Sequence, residues 1–370
     1  MPEFPAAGRP AGRFGTAQLV VIEIAVLAVA AAAYALTPAP GIVAVAVVVV
    51  LLAAALARFG GRWPYEAIGA RLRLARRRAG GLAAARAPIP VPATTTVADR
   101  GGATGVGRDE LGWFAAVAVR APDGLSPRAG RPLRLDWLAA LAAEDAFPAS
   151  HLQVVVRQSA PAPADARVPA TGSYLELRSA LAVPPPRDVW IAVRLSGGDA
   201  RDLAADRGGG EAGVHRALTA AVSRVASGLA DLGVAHTVLD GPGLRQAVAY
   251  ACGSDEAGTE RWSRWQARHL AHVCFAVRAW AAGHADPLEV LTRAVAAGDV
   301  SVAVTFDRGS AAARTVVRVA AGHDTIDTAV RELLAGARGA GIRLVRLDGE
   351  QAPAVYATAP TGATMGLGAL

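Results

Sequence analysis

Two apolar stretches near the start of the chain, 17–36 and 42–57, are separated by only five residues, Thr37-Pro38-Ala39-Pro40-Gly41. The second is wholly apolar, and the first is broken by Gln18 and Glu23. A helix that crosses the hydrocarbon core needs about 20 apolar residues. The spacing therefore predicts a transmembrane hairpin within residues 1–60. A cleaved signal peptide does not fit, because the first run is too long and a second follows at once.

Charge gives the orientation. Residues 1–100 hold eleven arginines against four acids and so carry the whole formal charge of +7. Arg9 and Arg13 precede the first apolar run, and Arg58 and Arg62 follow the second. Positive flanks stay on the cytoplasmic side, so an inner-membrane, multi-pass protein with both termini in the cytoplasm is expected. The basic residues cluster beside the expected bilayer. That favours anionic lipid headgroups over nucleic acid as their partner. Cys252 and Cys274 fall in the part assigned to the reducing cytoplasm and are expected to be buried free thiols.

The hairpin is rich in Ala and Val, and small residues favour close helix packing within lipid. Glu23, about a third of the way into the first span, is expected to contact a neighbouring helix or snorkel to the inner headgroups. Trp63 and Tyr65 supply interfacial aromatics. Ile68, Leu72 and Ala75 then recur at helical spacing among Arg71, Arg73, Arg76, Arg77 and Arg78, which predicts a basic amphipathic helix. Residues 61–100 read as this juxtamembrane helix followed by a semi-extended linker through Pro88, Pro90, Pro92 and Thr94 to Thr96.

The remainder reads as a cytoplasmic mixed α/β domain, giving an α/β class overall. Strands are expected over 110–120, 151–157, 189–195, 234–239, 270–278, 300–306, 315–319 and 342–347, with helices over 135–144, 214–232, 287–297 and 325–338. Two pseudo-repeats, 101–252 and 253–370, are expected. The pieces matched are His151 to Arg157 with His269 to Arg278, Asp188 to Val193 with Asp299 to Val304, and Leu239-Asp240-Gly241 with Leu347-Asp348-Gly349.

The chain has no lysine, which removes the phosphate loop of the Walker type and any lysine nucleophile. His-Glu-x-x-His and Gly-x-Ser-x-Gly are also missing from the sequence. His269 and His272 would point to opposite faces of one strand. Gly208, Gly210 and Gly213 fit Gly-x-Gly-x-x-Gly ahead of a helix, but Ser196 to Arg207 separates them from the nearest strand. They read as a flexible loop rather than a cofactor site. No catalytic residue, cofactor or metal is expected.

Several short motifs carry a family resemblance. They are Gly12-Arg13-Phe14-Gly15-Thr16-Ala17-Gln18, Val106-Gly107-Arg108-Asp109 with Trp113, Arg207-Gly208-Gly209-Gly210 before His215-Arg216-Ala217-Leu218, and Arg261-Trp262 with Arg268-His269-Leu270. The chain resembles EccE, the E component of the actinobacterial type VII (ESX) secretion membrane complex. The resemblance implies a non-catalytic structural subunit that supports protein export across the inner membrane, with EccB, EccC and EccD as partners. Two alternatives are a membrane-anchored enzyme using a nucleotide-linked substrate and an inner-leaflet lipid-binding module.

Overall fold

The computed structural model describes residues 64–79, 93–99, 102–120, 135–159, 187–253, 258–280, 286–296, 298–310 and 312–365, with the single positions Glu23, Leu27 and Ala46. Most of the expected hairpin, and Trp63 after it, lie outside the described residues; Glu23, Leu27 and Ala46 are helical. Among the described residues no helix is long and apolar enough to cross a membrane. The chain divides into two units, one of residues 1–8 and 81–365 and one of residues 9–80 and 366–370. The second contains helix α1 (Pro64–Ala79).

The larger unit is built on a twelve-stranded, wholly antiparallel sheet. In chain order its elements are β1 (Ala93–Asp99), β2 (Gly102–Asp109), β3 (Gly112–Val119), α2 (Leu135–Ala143), β4 (His151–Gln158), β5 (Arg187–Ser196), α3 (Gly197–Ala205), α4 (Gly210–Asp231), β6 (His236–Val238) and α5 (Gly241–Cys252). There follow β7 (Thr259–Glu260), β8 (Trp265–Gln266), β9 (Leu270–Ala279), α6 (Pro287–Arg293), β10 (Asp299–Asp307), β11 (Ala313–Gly322), α7 (Ile326–Gly339), β12 (Arg343–Arg346) and α8 (Gln351–Ala357).

The second series repeats the first, save that α3 has no counterpart. The sheet runs β1-β2-β3-β5-β4-β10-β11-β9-β8-β7, with β6 on β3 and β12 on β9. Each pairing on one side of the β4–β10 seam thus has its mirror on the other. At the seam Val302 faces Val156. β3 begins opposite the last residue of β5 (Gly112 with Ser196), and β9 begins opposite the last residue of β11 (Leu270 with Gly322). Topology therefore equates β4 with β10 and β5 with β11. The sequence matches of His151 with His269 and of Asp188 with Asp299 join strands that are not equivalent. Apolar strands look alike, and only the Leu-Asp-Gly match follows equivalent connections.

Side-chain alternation explains the layering. Val189, Ile191, Val193 and Leu195 of β5 enter the apolar core, as do Leu152, Val154 and Val156 of β4 and Val300, Val302, Val304 and Phe306 of β10. Helices cover that face. Val214, Ala217, Leu218, Ala221, Val222, Val225 and Leu229 recur at helical spacing along α4, and all are buried. The intervening residues Trp190, Ala192 and Arg194 of β5 are also buried, on the opposite face. Burial on both sides makes such a strand read as a continuous apolar run.

Besides β2, β7, β8 and α8, which were not expected, three segments depart from the sequence reading. Thr94 to Thr96, taken as linker, belong to β1, because β2 supplies every residue from Ala93 to Asp99 with a partner. Ser196 to Arg207 contain α3, capped by the Ser196 hydroxyl. The first Leu-Asp-Gly, at the end of the strand expected over 234–239, starts α5, a helix that was not expected: the Asp240 carboxylate accepts from the Gly243 amide at 2.8 Å, an N-cap.

Candidate functional site

The second face of the sheet is lined by polar side chains although it is buried. Arg194 of β5 is 1 % exposed, and its guanidinium donates to both Asp109 oxygens, at 2.8 and 2.6 Å. Its Nε donates to the Thr361 carbonyl at 2.8 Å, and its plane lies 5.0 Å from the Phe114 ring centre. The Tyr356 hydroxyl adds a third bond to Asp109, at 2.5 Å. Burial alone would raise the Asp109 pKa, but Arg194's hydrogen bonds and charge, with those of Tyr356 and the Leu111 amide, bring it below the ordinary value.

This cluster fastens the two structural halves together. Asp109 and Arg194 come from the first, Tyr356 and Thr361 from α8 and the segment after it. The same segment is held by Gln153 of β4, which donates to the Ala357 carbonyl at 2.8 Å and accepts from the Gly362 amide at 3.0 Å. A reciprocal contact runs the other way. Arg318 of β11, in the second half, donates to the Ala251 carbonyl near the C-terminus of α5, in the first. Arg318 thus holds the end of α5, where cationic donors suit the exposed carbonyls, and Arg194 holds the segment that follows α8.

Burial shifts the pKa values of the two cysteines and the histidine described on this face. Burial pushes the Cys252 thiol up to about 11 and the Cys274 thiol up to about 12, so neither is a nucleophile at neutral pH. Both are free and buried. His272 is fully buried beside Trp265, its ring 5.0 Å away. Burial first, and the charges of Arg318 and Arg157 next, hold its pKa well below the ordinary value. Among the described residues no group of three His, Cys, Asp or Glu side chains could hold a metal ion. His269 is exposed while His272 is buried.

The glycine-rich loop has a packing role. It joins helix to helix, α3 to α4, not strand to helix. Gly208, Gly209 and Gly210 all have positive φ (89°, 72° and 60°), which an L side chain rarely adopts. The Gly209 amide donates to the Ala204 carbonyl at 2.7 Å, and a Cβ on Gly213 would lie 2.6 Å from that oxygen. Arg216 closes the turn by donating to the Arg207 carbonyl at 2.7 Å. The glycines therefore serve a tight helix–helix crossing.

In the other unit, α1 carries Arg71, Arg73, Arg76, Arg77 and Arg78 on a helix that also bears Tyr65. Ile68 and Leu72 are 55 % and 54 % exposed, whereas Ala70 and Leu74 are buried. The predicted stripe of Ile68, Leu72 and Ala75 is therefore the exposed one, and helical geometry sets Arg71 and Arg78 on one flank of it and Arg76 on the other. Arg76, Arg77 and Arg78 occupy the last turn, where cations suit the helix dipole. Glu23 is exposed.

The Asp109–Arg194–Tyr356 cluster had no sequence signal of its own. Asp109 stood in a quoted motif, but its partners lie 85 and 247 positions away. A lone arginine inside the apolar run of β5 was the one available clue, since a buried charge requires a partner.

A family model described as "Putative type VII ESX secretion system translocon, EccE" matches residues 183–277, about a quarter of the chain. The matched stretch runs from β5 to β9 and includes Arg194, the α3–α4 glycine turn, all of α5 and His272. No curated protein matches the chain. Over that stretch the chain is similar to the EccE family, which supports the resemblance carried by the short motifs.

Proposed function

We propose that the chain is a non-catalytic structural subunit of a type VII secretion membrane complex. The observation that carries this reading is the EccE family match over residues 183–277, the stretch that forms the glycine turn and supplies strands to both halves of the sheet. A translocon component is membrane-associated. In this reading residues 17–36 and 42–57 form a two-helix anchor with both termini in the cytoplasm, and Glu23 faces another subunit. Helix α1 lies on the inner leaflet, its exposed Ile68 and Leu72 toward the acyl boundary and its arginines at anionic headgroups. EccB, EccC and EccD are the partners.

The buried polar face supports a scaffold role. Its charged groups bond to one another and to backbone carbonyls, an arrangement that fixes two halves in one relation and leaves no activated nucleophile. The test is affinity purification of the tagged full chain from gently solubilised membranes. Recovery of EccB, EccC and EccD in fixed ratio supports the reading; recovery of the chain without them contradicts it.

A further inference from the structure

We propose that Arg318 and Arg157 together bind a small inorganic monovalent anion of the chloride class, buried on the polar face of the sheet beneath the C-terminal end of α5. Arg318 is 1 % exposed and Arg157 is 6 % exposed. Arg318 spends one terminal nitrogen on the Ser301 hydroxyl, at 2.8 Å, and on the Ala251 carbonyl. Its Nε and its other terminal nitrogen are buried with no acceptor. Arg157 donates one terminal nitrogen to Asp299 at 2.5 Å, and its Nε and second terminal nitrogen are likewise buried with no acceptor. Donors from two guanidinium groups thus remain unpaired in one dry region.

Charge makes the same argument independently. Asp299 pairs with Arg157, and the second carboxyl beside Arg157, Asp188, is biased toward its neutral form by burial. Among the described residues no carboxylate pairs with Arg318, and the thiols near it, Cys252 and Cys274, are neutral at physiological pH. A guanidinium does not deprotonate to escape this, and an unpaired buried charge is strongly destabilising. Water would satisfy donors but not charge. A small anion satisfies both.

The first half of the fold shows what the second lacks. Arg194 lies on β5, the strand equivalent to β11, on the same face, and it meets both Asp109 oxygens. The matched starts of β3 and β9 place Ala267 where Asp109 stands. Arg318, one same-face step from the position matching Arg194, therefore has no built-in carboxylate. The Tyr250 ring, 4.0 Å from the Arg157 guanidinium, covers the site from the surface side. With both arginines nine-tenths buried, a partner's side chain cannot supply the charge, which selects a free ion.

The experiment is thermal unfolding of the detergent-solubilised full chain at fixed ionic strength, with chloride, bromide or nitrate exchanged for gluconate. The expected result is a saturable rise in melting temperature with the small anions only. At 100 times the dissociation constant the folded-to-unfolded ratio rises about 100-fold. Arg318→Met should fold without needing the ion and should lose this anion-specific increment. An unfolding curve indifferent to anion identity, or an increment retained in Arg318→Met, overturns the proposal. Should that variant not fold, anomalous diffraction from bromide-soaked wild-type crystals decides: bromide in contact with both guanidinium groups upholds the site, and its absence there overturns it.

Discussion

The Tyr356 hydroxyl donates to the Asp109 carboxylate at 2.5 Å, joining residues 247 positions apart in the chain. Asp109 also forms the bidentate pair with Arg194, so the last helix of the second half is bonded to an ion pair owned by the first. Removing one member of a buried pair leaves the other uncompensated and costs about 3–5 kcal/mol. Asp109→Ala should destabilise the protein by that order, as read from denaturant unfolding. Tyr356→Phe should cost less, about 1.5–3 kcal/mol, because the carboxylate keeps Arg194.

Stability should fall as pH drops from about 7 toward 5. His272 is neutral in the fold, and its pKa is lowered by burial and then by the charges of Arg318, Arg157 and His323. The unfolded chain takes up a proton near pH 6.5 while the folded chain does not, so stability is present above that value and is lost below it. One such group contributes at most about 1.4 kcal/mol per pH unit. His272→Phe should flatten the slope of unfolding free energy between pH 5 and 7. An unchanged slope in that variant would assign the dependence to other groups.

The five arginines of α1 should bind anionic lipid by charge. A peptide spanning α1 should partition onto anionic vesicles and be released by high salt, since exposed charges are screened within about 10 Å at 0.1 M ionic strength. Each arginine near the surface contributes about 1 kcal/mol. Changing Arg71, Arg73, Arg76, Arg77 and Arg78 to Gln should therefore lower partitioning at least tenfold. Salt-insensitive binding of the wild-type peptide would remove the electrostatic account.

The α3–α4 turn should respond to bulk and not to nucleotides. Gly213→Val places side-chain atoms against the Ala204 carbonyl, at a point where a Cβ alone lies 2.6 Å away, and should lower the melting temperature. Titration of the protein with ATP, GTP, NAD and UDP-sugars should show no saturable binding below about millimolar. Micromolar affinity abolished by Gly210→Val would revive the enzyme reading.

Much of the fold was legible where one period dominates. The runs at Val189 to Leu195 and Val300 to Phe306 and the apolar stripe of α4 gave their elements directly. What escaped was decided by tertiary context. β1 has the Thr-rich composition of a linker and is a strand because β2 pairs with it. α5 begins at an Asp-Gly that locally favours a turn, and the Asp240 cap resolves the choice. The repeat was visible, but its strands were matched one place out of step, because apolar alternation does not distinguish neighbours. The arginine clusters were illegible for a different reason: their partners are separated by 85 to 247 positions, and spacing carries no trace of them. The α1 arginines were read from the helical spacing of Ile68, Leu72 and Ala75 among them.

The central claim is membership of a larger membrane assembly. Blue-native separation of gently solubilised membranes tests it most directly. The account predicts that the chain migrates in a megadalton complex together with EccB, EccC and EccD. Migration as a monomer or dimer, with those components assembled elsewhere on the gel, would contradict it.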